Sequence, residues 1–470
     1  MSGEYDIAIL GGGNAGYAAA LRAAQLGLTV GLVEKDKVGG TCLHRGCIPT
    51  KALLHSADVI ENIRHADDFG IIVDKPEVDW GRVSKYKEAV VSRLHKGLQG
   101  VLKARKVEII EGEGRVSAPD SIEVQGGGVV KGSRGLILAS GSYARSLPFI
   151  EIDGKSFITS DHALSANDIP RSVIVIGAGA VGLEFASVYS SFGADVTVIE
   201  ALDRMAPGED EEVSKELTRQ FKKRGIKTFA GVEVTKAEPS DEGASVTFET
   251  GGKSETITAE RCLVAVGRGP VSEGLGYEEI GVKIEKGFVV TDGSCRTGVD
   301  SVWAIGDLIT QPDLGLPFPH FQLAHVAFAE GIHVAEQIAG EETAAINYTG
   351  VPRCTYSYPE MASVGLTEAQ AKDAGFAVHS EKFAWSASGK ATILGETGGF
   401  TKVVSEKDGK VLGVHMVGPR VTELIAEAQL ITNWEAFPTE VAALIHPHPT
   451  LSEAMGETMM HLAGKQLHGA

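Results

Sequence analysis

The 470-residue chain has no run approaching the roughly 20 consecutive apolar residues that span a bilayer, because glycines and charges interrupt every candidate. Cysteine is scarce. Five are present, an odd number spread over the whole length, which excludes the dense disulfide framework of a small secreted domain. Proline is also sparse, at 17 against 58 glycines, so the chain reads as one of tight turns with no disordered stretch. Basic side chains are outnumbered, 44 to 62, giving a formal charge of -18. A broad negative field repels phosphate backbones and lipid headgroups, so neither nucleic acid nor membrane is an expected partner, while basic partners remain open. The start, Met1 to Glu4 followed by Ile7-Ala8-Ile9-Leu10, shows neither a basic segment nor a cleavable apolar one, and a cytoplasmic location is expected.

What is present is repetition. Two segments about 165 residues apart share one order: apolar strand, glycine-rich turn, helix of small residues, second strand ending in an acid. The first runs from Ile7 through Gly11-Gly12-Gly13-Asn14-Ala15-Gly16 and a helix to Gln25, ending at Glu34. The second runs from Val173 through Gly177-Ala178-Gly179-Ala180-Val181-Gly182 and a helix to Phe192, ending at Glu200. Each fits a βαβ unit. Residues 52 to 105 carry helical spacing with many charges, and 107 to 146 alternate as short strands. The run Val302 to Asp307 is a buried strand ending in Gly-Asp, and a long helix is expected from Phe321 to Ala339. Strands at 401–404 and 411–414 with helices from about 421 suggest a separate α+β domain. The expected segments are 1–146, 147–270, 271–343 and 344–470.

Each turn has the spacing that binds a dinucleotide. The first glycine makes the bend, the second lets backbone approach a pyrophosphate, and the third packs helix on strand. Gly11, Gly13 and Gly16 match, as do Gly177, Gly179 and Gly182. The helix N-terminus then offers uncapped N–H groups and a favourable dipole to the diphosphate. Glu34 and Glu200, each 23 residues beyond the first glycine, are placed for a ribose. Either turn alone is a weak signal, since glycine turns also serve structure; the full strand-turn-helix-strand-acid series is specific. A carboxylate at Glu200 would bind a 2′-hydroxyl and repel a 2′-phosphate, which favours NAD over NADP, with Arg204 lying late for phosphate binding.

Cys42 and Cys47 lie directly after the first acid-ended strand, within 39–51. On an ideal helix, cysteines five apart would hold their Cα atoms about 8 to 9 Å apart, beyond the limit of about 7 Å for a disulfide. The turn between them must therefore be distorted, and Gly46 supplies the freedom, while Pro49 suits a first helical turn. A helix N-terminus would stabilise a thiolate there. The rivals are a zinc half-site and two idle core thiols. Zinc would want a second ligand pair, and none accompanies this one. Cys262, Cys295 and Cys354 are scattered and read as small buried side chains.

The segment Gly40-Thr41-Cys42, Gly46-Cys47-Ile48-Pro49 and Lys51 resembles the active-site motif of the flavin disulfide reductases, and the likeness covers essentially the whole chain. His44 stands where an asparagine is usual, Thr50 where serine is, Ser140 where threonine is, and Val271 where asparagine is common. The resemblance implies two Rossmann-like dinucleotide-binding domains, the first for FAD and the second for NAD, plus a C-terminal α+β dimerisation domain. It implies that Cys42 exchanges with substrate, that Cys47 faces the flavin as thiolate, and that Lys51 sits at the flavin N5 paired with Glu184. It further implies flavin contacts from Thr41, Ser140, Gly141, Asp307 at the ribityl chain and Ala324 at a helix start near the flavin O2, with Gly267 at a domain crossing. In His446-Pro447-His448-Pro449-Thr450-Leu451-Ser452-Glu453 the spacing alone leaves a metal ligand or a surface histidine open. By resemblance, His448 is the acid-base and Glu453 orients it, reaching the disulfide of the other subunit of a homodimer.

The implied activity is oxidation of protein-bound dihydrolipoyl groups to lipoyl disulfide, with NAD reduced. Lipoyl domains of 2-oxoacid dehydrogenase or glycine cleavage complexes are the implied partners. A reductase of another disulfide, driven by NAD(P)H, shares the core motifs, although Glu200 speaks against NADP and the tail lacks a cysteine pair suited to metal reduction. A noncatalytic scaffold is the reading from a different class; intact Cys42, Cys47, His448 and Glu453 argue against it as the sole role.

Overall fold

The computed structural model describes residues 3–469. The chain divides into two compact units, one of residues 1–52, 85–145 and 268–346, the other of 53–84, 146–267 and 347–470. One division falls inside helix Cys47–Arg64.

In the first unit, parallel strands Glu108–Glu111, Val30–Glu34, Gly3–Leu10 and Val129–Leu138 lie side by side in that order. Strand Val302–Ala304 joins Val129–Leu138 in parallel, and Ser121–Val124 and Gly114–Ala118 extend the sheet antiparallel. Ile7, Ile9, Leu136, Ile137 and Leu138 are buried, which is why these strands read as unbroken apolar runs: a sheet covered on both faces has no side for polar residues. Helix Asn14–Gln25 buries Ala15, Ala18, Ala19, Ala20 and Ala23, a small-residue face that lets helix Ala324–Ala339 approach closely. The approach is tight enough that a Cβ on Gly331 would sit 2.4 Å from Ala15 O.

That second helix begins three residues later than the periodicity of Phe321–Ala339 predicts. The preceding loop is tied elsewhere. Gln322 Nε2 donates to Asp307 O (3.1 Å) and His320 Nε2 to Glu330 Oε1 (2.7 Å), and Leu323 is extended at the cap. The helical spacing of 52–105 likewise resolves into two α-helices, Cys47–Arg64 and Trp80–Ala104, separated at Gly70 and Pro76.

The second unit contains a parallel sheet ordered Lys227–Phe229, Asp195–Ile199, Ser172–Ile176, Arg261–Val264 and Phe157–Ile158, with a three-stranded antiparallel sheet over 233–259. Its C-terminal part is an antiparallel sheet of Arg353–Thr355, Glu360–Gly365, Val411–Gly418, Phe400–Glu406 and Val378–Ala384. Helices Val421–Asn433 and Glu453–Leu462 bury Ile425, Ala428, Met455 and Met459 into the same core as that sheet. The architecture is α/β with an α+β C-terminal domain, the class read from the sequence. Among the described residues no helix is long and apolar enough to cross a membrane.

Candidate active site

In the first turn, Gly11 has φ +106° and a Cβ there would lie 2.2 Å from Ala139 O; one on Gly16 would lie 1.9 Å from Gly11 O. Both positions demand glycine by close approach. Gly13 differs: it caps helix Asn14–Gln25, and its nearest neighbour to a Cβ is Gly40 Cα at 3.9 Å. No side chain caps that helix, so its first-turn N–H groups are offered to an external anion. Glu34 braces the turn, its Oε2 accepting Gly12 N–H (2.7 Å) and its Oε1 accepting Asp36 N–H (2.9 Å). Each oxygen keeps a lone pair for a hydroxyl.

The second turn repeats the construction. Gly177 has φ +104°, with a Cβ 2.4 Å from Ala265 O, and a Cβ on Gly182 would fall 2.0 Å from Gly177 O, while Gly179 faces open space. Gly267 has φ +108° and is likewise open. Glu200 is 8% exposed; its two oxygens accept Ala178 N–H (2.7 Å) and Leu202 N–H (2.9 Å). Arg204 is held by Asp203 (3.3 Å) and Pro207 O (3.0 Å). Glu184, buried in helix Ala180–Ser191, accepts Tyr356 N–H at 3.1 Å.

The cysteines belong to the first unit and sit against its dinucleotide turn. Gly39 N–H donates to Gly12 O (2.8 Å), and a Cβ on Gly40 would meet Gly13 Cα at 2.7 Å. Helix Gly40–Arg45 carries Thr41 and Cys42 and stops at Gly46, whose φ and ψ of -149° and -113° are not helical; Cys47 opens helix Cys47–Arg64. A Cβ on Gly46 would stand 3.0 Å from Thr41 O, so glycine permits the distorted turn that the pair needs. Thr50 Oγ1 donates back to Gly46 O (2.7 Å). Lys51 lies four residues after Cys47, on the same helix face.

The Cys42 thiol is held at about 7, below its ordinary value. A hydrogen bond from Cys47 is the main cause; the Asn14 amide and the Lys51 charge add to it, against the opposing effect of burial. Alkylation of Cys42 in the reduced protein should therefore rise through a midpoint near pH 7 and fade as pH drops below it. Lys51→Met should move that midpoint upward, as read by peptide mapping after iodoacetamide pulses; an unmoved midpoint would remove the lysine from this role. Asn14 was not singled out by sequence, because it occupies a variable position of the glycine turn and carries no spacing signal.

Asp307 follows Gly306, a glycine with φ +76°. Asp307 Oδ2 accepts Ser142 Oγ–H (2.5 Å) and lies 3.7 Å from Arg268 Nε. Arg268 in turn donates to Ser142 Oγ (2.7 Å), Ser142 O (2.8 Å) and Thr41 Oγ1 (3.5 Å). Ser140 Oγ donates to Val271 O (2.5 Å) and accepts Tyr277 OH (2.9 Å), and Gly141 has φ +74°. Ala324 is the first residue of a helix with no side-chain cap. Beneath this cluster Glu330, fully buried, accepts Gly306 N–H (2.6 Å) and pairs with His320 (2.7 Å). Tyr277, His320 and Glu330 sit in no spaced motif and escape sequence reasoning, whereas Ser142 and Arg268 stand in the runs Ala139–Ser142 and Ala265–Arg268 that the resemblance places at domain crossings, with no role of their own legible there.

At the C-terminus the two motif histidines part ways. His446 Nε2 donates to Glu427 Oε1 (2.8 Å), is mostly buried, and is pushed above its ordinary pKa by that carboxylate. His448 is 78% exposed; its Nδ1 donates to Glu453 Oε1 (2.7 Å), and Glu453 Oε2 accepts Thr450 N–H (2.7 Å). Burial raises Glu453, but the Thr450 N–H and the bond to His448 outweigh it and hold the carboxyl below its usual range. The second oxygen fixes the carboxylate and the first fixes the ring through Nδ1, leaving Nε2 without a hydrogen bond among the described residues. Of the other cysteines, Cys262 and Cys295 are buried and Cys354 is half-buried.

Residues 5–331 match the pyridine nucleotide-disulphide oxidoreductase family, and residues 351–459 match the dimerisation domain of the same group. The chain belongs to that family. Within it, the chain is similar to two curated relatives named dihydrolipoyl dehydrogenase, one from Bacillus subtilis at 45% identity and one from Zymomonas mobilis at 41%, each over 100% of both chains. The solved structure of LpdA from Mycobacterium tuberculosis superposes with a TM-score of 0.87 at 25% identity, covering 97% of this chain and 99% of that one.

Proposed function

We propose that this chain is an FAD-dependent dihydrolipoyl dehydrogenase, oxidising protein-bound dihydrolipoyl groups with NAD. The observation that carries the reading is the cysteine pair spanning a glycine-broken helix against the first dinucleotide turn, with one thiol held near neutrality. Segments 1–146 and 271–343 supply the FAD residues, 147–270 those for NAD, and 344–470 the dimer contact. Trp434 (75% exposed) and Ile445 (98% exposed) on the C-terminal domain are apolar surface that a second copy would cover.

The residues fit the two dinucleotides, because both helix N-termini are uncapped and neither middle glycine is crowded, Gly179 facing open space and Gly13 meeting only Gly40 Cα at 3.9 Å. Gly11, Gly13 and Gly16 with Glu34 would hold FAD at its adenosine end, and Thr41, Lys51, Ser140, Gly141, Asp307 and Ala324 nearer its ring. Gly177, Gly179, Gly182, Glu184, Glu200 and Gly267 would serve NAD. When bound, FAD supplies a two-electron relay between a cysteine thiolate and the nicotinamide.

The protein's own part is proton and sulfur chemistry. His448, from the partner subunit, takes the proton of one dihydrolipoyl thiol at Nε2, and Glu453 stabilises the imidazolium. The substrate thiolate attacks Cys42 Sγ of the oxidised pair; the Cys42–Cys47 bond breaks and Cys47 leaves as thiolate. The second substrate thiol then displaces Cys42, its proton passing to the departing Cys42 sulfur, which releases the cyclic disulfide and leaves two electrons and that proton on the cysteine pair. Their transfer onward as a hydride equivalent would yield NADH and restore the disulfide, and His448 gives its proton to solvent.

Steady-state assay with dihydrolipoamide and NAD tests this against NADPH with oxidised glutathione; turnover only in the second assay would overturn it. NAD should be preferred over NADP. Because Glu200 both excludes a 2′-phosphate and braces Ala178 and Leu202, Glu200→Ala should raise KM for NAD about tenfold and narrow the preference. Equal efficiency with both coenzymes in the unmodified enzyme would contradict the assignment.

A further inference from the structure

Helix Trp80–Ala104 departs from the charge of the rest of the chain. In a protein of net charge -18 it carries six Lys or Arg (Arg82, Lys85, Lys87, Arg93, Lys96, Lys103) and one acid, Glu88. At 100° per residue, Lys85, Arg93, Lys96 and Lys103 fall within an arc of about 80°, and Glu88 lies off it. All four are exposed, and none takes part in an ion pair among the described residues. The other side faces inward: Lys87 and Leu102 are buried, and Leu98 packs on the core of the first unit. The four cations therefore form an outward stripe about 27 Å long at helix rise.

A solvated helix face normally mixes both signs, which limits self-repulsion and gains i,i+4 pairs. One sign alone on one face is the pattern of an electrostatic docking surface. Its position narrows the partner. Lys96 adjoins His95, whose ring packs edge-on against His44 (centroids 4.8 Å apart) in the helix that carries Cys42. His95 lies about 100° round the helix from Lys96, so the stripe is the outer flank of a helix whose inner side touches the helix carrying the redox pair.

We propose that this stripe docks an acidic lipoyl-bearing domain, aligning its dithiol arm with Cys42. The inference rests on the activity proposed above. Nucleic acid and anionic membrane share the sign, but neither brings a thiol to the cysteines, and both are extended polyanionic surfaces that meet the repulsion of the acidic chain well beyond the stripe. A compact acidic domain can match the stripe while its arm enters the site.

The test uses FAD-loaded enzyme carrying Lys85→Gln, Arg93→Gln, Lys96→Gln and Lys103→Gln together. Two reduced substrates are compared: free dihydrolipoamide, and a purified lipoylated domain of net negative charge. At an ionic strength of about 0.01 M, where the Debye length of about 30 Å spans the stripe, KM for the domain should rise about tenfold, with kcat/KM for free dihydrolipoamide unchanged. Raising salt to about 0.15 M should weaken the domain's advantage in the unmodified enzyme and leave the variant nearly flat. An unchanged KM for the domain overturns the proposal, as does an equal loss on both substrates, which would mark damage to the site. A shift of the dimer to monomer in the variant, with KM for the domain unchanged, would assign the stripe to a second copy. Failure of the unmodified enzyme to oxidise free dihydrolipoamide would instead sink the activity itself, and this proposal with it.

Discussion

Cys47→Ser is expected to lower dihydrolipoamide oxidation by about a thousandfold or more, because the pair then has no disulfide to open and no sulfur to pass electrons onward. Flavin binding should survive. The first dinucleotide turn is built from Gly11, Gly13, Gly16 and Glu34, and none of its hydrogen bonds uses that sulfur. Serine also keeps helix Cys47–Arg64 intact, since the helix starts on Gly46 backbone and not on the thiol. The sharper readout is spectroscopic. About one equivalent of dithiol or NADH should give the unmodified yellow protein a long-wavelength thiolate-to-flavin absorption, and the variant should show none. A band that persists without the Cys47 sulfur would transfer the donor role elsewhere.

The second large effect concerns His448. Removing a general base typically costs about a hundredfold to ten-thousandfold, and His448→Gln should lie in that range. The ring is 78% exposed and held through Nδ1 by Glu453, with no hydrogen bond to Nε2 among the described residues. An imidazole presented in that way suits a site completed by another chain. Mixing and refolding Cys47→Ser with His448→Gln chains tests the sharing. Neither parent should turn over lipoyl substrate efficiently. A mixed dimer unites the intact cysteines of one chain with the intact histidine of the other, so one of its two sites is whole. With random pairing about half the dimers are mixed, and activity should return to roughly a quarter of the unmodified level. Verified mixed dimers as inactive as their parents would place His448 within its own chain, or outside the chemistry.

Much of the candidate site could be read directly because its chemistry imposes local rules. Three glycines and an acid at set distances are needed wherever a backbone must approach a diphosphate, and both copies fold as βαβ units. The cysteine spacing forecast a distorted turn, and Gly46 is where the helix stops. Contacts between distant segments left no such trace. Ser142 reaches Asp307 across 165 residues and Arg268 across 126, and no periodicity announces either. Helix Ala324–Ala339 starts later than its periodicity predicts for the same reason, because side chains from the loop before it are held by Asp307 and Glu330.

Charge divides along the same line. Composition and spacing alone give the net -18 and the steps of eight, three and seven residues that run from Lys85 through Arg93 and Lys96 to Lys103. Averaged over 470 residues, the first conceals the second. Packing settles that this face turns outward while Leu98 and Leu102 turn in, and that the helix touches the cysteine helix through His95 and His44. The physical reason is that periodicity specifies which residues share a face, whereas burial against other segments specifies where that face points.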